Sequence, residues 1–334
     1  MSRYDTPKIE STKYLCLTAM LRARETSMVT PEKAEQMLAA ASFEEACRVA
    51  VDCGYPDMSA MGIREIEDTL SQKRRAELED VVNLVPDVEL ADLFRLKYDY
   101  HSAKAMVKSD GSAKHLLSFD GRVEAAEFLR AYLRRELTVL PVTLAEAIHE
   151  AKSMLSRTGN PCLADLILDR AYFTELTETA RRTGMPFAVE YVRLLIDCAN
   201  LRALIRGKLA GKRPEIIGEL LFEEGSILKE SIIAAADSSD DIVRLFAPAG
   251  LGTAAEKGVA VLDHGSMTEF ELALDNAVND YLSDAERVGF GPAAVISYLA
   301  AVENQVMTLR IILTGKKTGI APDKLRERLR ECYI

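Results

Sequence analysis

The sequence contains no tryptophan, and aromatic residues make up only 6% of its 334 positions. Leu, Ala, Ile, Val and Met must therefore fill the interior, which suits packed helices. There is no CxxC pair; the six cysteines stand at 16, 47, 53, 162, 198 and 332. Several fall on apolar helical faces, so reduced core thiols in a cytosolic chain are expected. The four histidines, at 101, 115, 149 and 264, never pair at metal spacing, so no metal is expected. No apolar run approaches the ~18 residues of a spanning helix, so no direct membrane span is expected. The opening MSRYDTPKIE is polar and carries acids, unlike a secretory signal. Cations are in deficit: the formal net charge is −10 and the pI is near 5.2. A nucleic-acid partner would need a basic footprint and is excluded as the main ligand. A basic protein partner is not.

Reactive motifs are missing too. GxSxG and Cys–His signatures are absent. GLGTAA at 250–255 imitates a dinucleotide loop but lacks the strand that should precede it. GKKT at 315–318 imitates a phosphate loop, yet no glycine stands upstream. No cofactor and no catalytic residue are expected.

What is present is a repeated helix. Tyr298 to Ile320 reads YLAAVENQVMTLRIILTGKKTGI, with one apolar face at i, i+3, i+4, i+7 spacing. Leu93 to Ser109 and Tyr191 to Gly207 repeat it. Aligned on Lys104, Arg202 and Arg310, the apolar positions match without a gap. They are Leu93, Tyr191 and Leu299; Leu96, Leu194 and Val302; Tyr100, Cys198 and Val306; Ala103, Leu201 and Leu309; and Val107, Ile205 and Leu313. Ser109, Gly207 and Gly315 are expected to stop the helices. Arg95 and Asp99 correspond to Arg193 and Asp197, whereas the third copy has Ala301 and Gln305. A period of roughly 100 residues is too long for a solenoid repeat, so the unit is a small domain.

The remaining chain also reads as helix: Ser11–Glu25, a restart at Thr30-Pro31, and capping boxes at Ser42 and Thr143. Long helices are expected over Ile63–Val82, Val123–Leu137, Pro161–Arg182 and Thr268–Glu286. Asp237 to Gly265 reads as looser, Gly289, Gly291 and Pro292 as a break, and Ala321-Pro322 as the start of a terminal helix. No stretch reads as a strand. The fold class is all-α, with units at 1–112, 113–212 and 213–334, divided at the turn clusters near Ser109–Ser112 and Gly211–Pro214. The recurring Asp99 and Asp197 invite a catalytic reading, but an Arg stands four residues before each, the spacing of a same-face pair, so an ion pair on the helix surface or between helices is expected.

LFRLKYDYHSAKAMVK, the final repeat segment and ASFEEACRVAVDCGY together resemble the C subunit of prokaryotic V/A-type ATPases, the counterpart of the eukaryotic d subunit. The likeness runs over nearly the whole length. It implies three similar helical bundles in pseudo-threefold arrangement around a central cavity. It further implies a non-catalytic central-stalk component, a socket between the central shaft subunits and the membrane proteolipid rotor ring. Such a component would be peripheral on the cytoplasmic face of the membrane. The partner-contact candidates are Arg95, Asp99, His101, Lys104, Arg193, Asp197, Arg202, Glu303, Asn304 and Arg310, expected to face the cavity. The competing reading is an unrelated helical scaffold for a soluble partner; a helical enzyme with scattered carboxylates ranks behind it.

Overall fold

The computed structural model describes residues 11–283, 285 and 290–331, and every regular element among them is helical. A 3-10 turn leads into α1 (Leu15–Glu25), followed by the short α2 (Pro31–Ala39) and α3 (Phe43–Asp52) and the long α4 (Ile63–Leu84) and α5 (Glu89–Ser109). Next come α6 (Ala125–Arg134), α7 (Val142–Thr158), α8 (Pro161–Arg182) and α9 (Pro186–Leu209). The last third holds α10 (Pro214–Gly218), α11 (Lys229–Ala235), α12 (Ser239–Phe246), α13 (Gly252–Leu262), α14 (Met267–Ser283), α15 (Pro292–Lys317) and α16 (Pro322–Arg326). The fold is all-α.

Local chemistry accounts for many of the boundaries. Thr30 and Ser42 accept hydrogen bonds from the amides of Lys33 and Glu45, as N-caps should. The box expected at Thr143 does not form; α7 already begins at Val142, launched by the Pro141 carbonyl accepting from Ala145. The region expected to be loose, 237–265, carries α12 and α13, because its small residues let the turns pack closely. Gly258 lies where a side chain would meet Ile205 and Phe270. GLGTAA is thus the start of a helix with no strand before it. The terminal helix is shorter than expected, ending at Arg326. The polar leader 1–10, Glu286, Gly289 and Cys332 lie outside the described residues.

The three repeat helices are α5, α9 and α15. All fifteen aligned apolar positions are buried. Ser109 ends α5 as expected, and the other two stops differ. Gly207 and Gly315 lie inside α9 and α15, where a Cβ would strike Ile217 and Leu325. They are small for close approach. Two of the three ends fall at Gly211 and Gly319, both at positive φ. There the amides of Lys212 and Ile320 reach back to the Gly207 and Gly315 carbonyls, a Schellman-type ending.

The cores group the helices. The whole of α5 and the N-terminal halves of α9 and α15 share one cluster, which includes Leu96, Ile196 and Ile296 and extends along α7 and α8. Residues 291–302 are buried without interruption, so the start of α15 is enclosed on all sides. The C-terminal half of α9 packs with α11–α14. The C-terminal half of α15 packs with α2, α3 and the start of α4. The contacts thus group segments differently from the spans 1–112, 113–212 and 213–334: residues from the beginning of the chain complete the core around its last long helix.

Candidate partner-binding interface

The ten candidates sit on α5, α9 and α15, and they divide by burial. Asp99 and Asp197 are buried at 2% and 0% exposure, so neither offers a surface to a partner. This corrects the expectation that both face a cavity. The same-face pairing with Arg95 also fails to form. Asp99 instead accepts from Arg122 Nε at 2.8 Å and from the Val123 amide at 3.2 Å. Arg122 also reaches Glu175, at 2.7 Å. Asp197 accepts from the Ser226 amide at 3.0 Å, from the Ser226 hydroxyl, and from the Ile227 amide at 3.3 Å. Burial pushes both carboxyls above their ordinary range, against the pull of Arg122 on Asp99 and of the Ser226 hydrogen bonds on Asp197.

The third copy keeps the geometry with different chemistry. Gln305, at the aligned position, accepts from the Val29 amide at 2.8 Å and donates to the Tyr55 hydroxyl at 2.7 Å. Val123, Ile227 and Val29 each stand two residues before a helix, α6, α11 and α2 respectively. Each repeat helix therefore holds the entry of another helix by a backbone amide two residues before it, with a second amide, that of Ser226, also held at α9. For α15 the held helix, α2, comes from the start of the chain.

The anchor cations follow the same rule. Lys104 pairs with Asp169 on α8 at 2.5 Å, Arg202 with Glu271 on α14 at 2.7 Å, and Arg310 with Glu67 on α4 at 2.6 Å. All are half-buried. Glu303 binds Lys97 and the Tyr98 hydroxyl, tying α15 to α5. Arg95 donates to the Gly121 carbonyl at 2.8 Å and lies 3.5 Å from Asp92. Arg193 is half-buried and acts on Asp197 only as a nearby positive charge. Asn304 is 5% exposed and donates to the Glu331 carbonyl, so it too is interior.

His101 and Arg310 are brought together. Both line a cleft of about 850 Å³ between α4, α5 and the segment 115–120, which Arg74, Lys97 and Asp120 also border. Its cations are paired, Arg74 with Asp120 and Lys97 with Glu303. Partial burial, with Lys104 and Lys108 close by, lowers the affinity of His101 for a proton. Among the described residues no group of His, Cys, Asp or Glu could hold a metal ion, and no helix is long and apolar enough to cross a membrane.

Sequence reasoning missed the glycines opposite the aspartates. A Cβ at Gly121 would lie 2.2 Å from Asp99 Oδ1, and one at Gly225 would lie 2.3 Å from Asp197 Oδ1. A glycine followed two residues later by Val or Ile, just before a helix, was the available signal. It also missed the ring contacts Tyr100–Tyr172, Tyr172–Phe173 and Phe173–Phe222, at 5.7, 5.0 and 4.7 Å, which join α5 and α8 to the loop after α10.

Comparison with known proteins decides the family. The profile described as "ATP synthase (C/AC39) subunit" matches residues 17–328. The chain belongs to that family. It is similar to the C subunit of the V-type sodium ATPase of Enterococcus hirae, 24% identical over 330 residues, covering 96% of this chain and 99% of that protein. It is also similar to the C subunit of the A-type ATP synthase of Methanocaldococcus jannaschii, at 22% identity over 96% of this chain and 87% of that one. That of Haloferax volcanii is 23% identical over 93% and 95%. C/AC39 proteins are accessory components of multi-subunit ATPases, not their catalytic chains.

Proposed function

We propose that this C/AC39 chain is a central-stalk component of a V/A-type rotary ATPase, a socket between the central shaft and the membrane rotor ring. It carries torque and does no chemistry of its own. The observation that carries this reading is the end-to-end match to the C subunit of a V-type sodium ATPase, which leaves almost none of either chain unaccounted for.

The geometry supports it physically. A torque coupler must resist shear, and its helices are cross-tied by ion pairs between separate elements, Lys104–Asp169, Arg202–Glu271 and Arg310–Glu67. Each half-exposed pair adds about 0–1 kcal/mol to stability. Their use is in fixing register. In this reading three lobes in pseudo-threefold arrangement surround a cavity that receives the shaft. Arg95, His101, Lys104, Arg193, Arg202, Glu303 and Arg310 are the contacts offered, and the proteolipid ring lies on the cytoplasmic side of the membrane. The acidic net charge of −10 favours basic loops on the partners.

Affinity purification of the tagged chain from detergent-solubilised membranes of its host tests this. Shaft subunits and the proteolipid ring are expected to co-purify. Recovery of the chain alone, or with a soluble protein unrelated to the ATPase, would overturn the reading.

A further inference from the structure

The three amide-holding positions are not equal. At α5, the Asp99 carboxylate is backed by a second tie three residues on: Ser102 Oγ accepts from the Ser118 amide at 3.0 Å. At α9, Asp197 is backed likewise. Asn200 accepts from the Phe222 amide at 2.7 Å and donates to its carbonyl at 3.0 Å. Ser118 and Phe222 each stand five residues before the held amide, so the incoming strap is fastened twice.

At α15 the second tie is missing. The aligned residue, Thr308, is 1% exposed, and its hydroxyl has no hydrogen-bond partner among the described residues. Five residues before Val29 stands Arg24, inside α1, with its guanidinium turned to Glu77 at 2.8 Å and Asp80 at 2.9 Å. The first tie differs in charge: Gln305 offers a neutral amide oxygen, at 2.8 Å, where the other two copies offer carboxylates, at 3.2 and 3.3 Å. A cavity of about 340 Å³ opens between α1, α4 and α15, bordered by Met28, Cys53, Tyr298 and Gln305. The covalent chain does not help either. α5 and α9 run on into the segments they hold, whereas α15 holds a segment from the opposite end of the sequence.

We infer that the contact between α15 and the α2–α3 pair is a seam, the one junction of the three at which the folded body opens first. It is closed by apolar burial of Leu309, Ile312 and Leu313 against Met37, Leu38 and Ala50, with Lys316 donating to the Ala40 carbonyl at 2.7 Å and Arg326 on α16 pairing with Glu35. Opening there releases α2–α3 as a block and breaks no backbone continuity. In a socket it would make a side gap through which a shaft could be seated or freed. The seam itself does not depend on the socket reading, and its test uses the isolated chain.

Residue-resolved amide exchange on the full-length protein reads the seam directly. The Val29 amide should exchange at least about tenfold faster than those of Val123 and Ile227, as expected for a neutral tie against charged, doubled ones. Met37, Leu38 and Ala50 should share the Val29 opening rate, while Leu21 in α1 stays protected. Gln305→Ala should accelerate exchange across α2–α3 and leave Val123 and Ile227 unchanged. Equal protection at all three held amides would overturn the inference. So would protection that climbs steadily from Leu21 through Val29 to Ala50, the signature of a fraying chain end.

Discussion

Asp197 shows how a side chain that looks functional by recurrence can be structural. A buried carboxylate with three donors and, among the described residues, no paired cation organises the loop 225–227 and offers nothing to solvent. Burial raises its pKa above the ordinary 3.8. The folded state then keeps a proton that the unfolded chain releases just above that pH. Unfolding free energy contributed by this group therefore falls as pH rises through the window between the ordinary and the raised value. Asp197→Asn removes the titration. Urea unfolding of both proteins between about pH 4 and about pH 7 should show the wild type losing ground to the variant as pH rises. Movement the other way would mean that the donors hold the ionised form more firmly than burial opposes it.

At the level of elements, glycine does two jobs that the sequence does not separate. Gly225 and Gly121 give way to a neighbouring carboxylate, and Gly207 and Gly315 to Ile217 and Leu325. Gly319 and Gly211 instead supply positive φ at a helix end, with nothing within 4 Å of the missing Cβ. Gly225→Ala places a methyl on the Asp197 carboxylate, which is held by the Ser226 hydroxyl and by two backbone amides that cannot follow it, and should cost about 1–3 kcal/mol. Gly319→Ala meets only the left-handed backbone penalty of about 1 kcal/mol. Denaturant midpoints at unchanged slope should rank wild type above Gly319→Ala above Gly225→Ala. If Gly225→Ala unfolds with the wild type, the close approach of the 225 loop to α9 is not sustained in solution.

For the whole molecule, the proposed socket requires α5 with α6–α8, α9 with α11–α14, and α15 with α2–α4 to act as three lobes, the third assembled from both chain ends. A compact chain of this length would have a radius of gyration of about 20 Å. Three lobes around a hole should exceed that, with a pair-distance distribution lacking the single symmetric peak of a solid body. X-ray scattering from the monomer in solution distinguishes the two, and a value of about 20 Å would remove the central cavity.

The all-α class, the three repeat helices and their fifteen buried positions were legible in the sequence, because helical periodicity is a local property that burial of one face must satisfy. The family resemblance was legible for the same reason, being carried by those helices. What only the tertiary structure decided was partnership. Asp99 and Arg95 share a helix face, yet Asp99 pairs with Arg122, which a turn beyond the end of α5 brings back beside it. Gln305 looked like a departure from the repeat and proves to hold the same amide, because the residue it serves lies 276 positions away at the other end of the chain. Hydrogen bonds and ion pairs depend on where a chain returns, and linear spacing carries no record of that return.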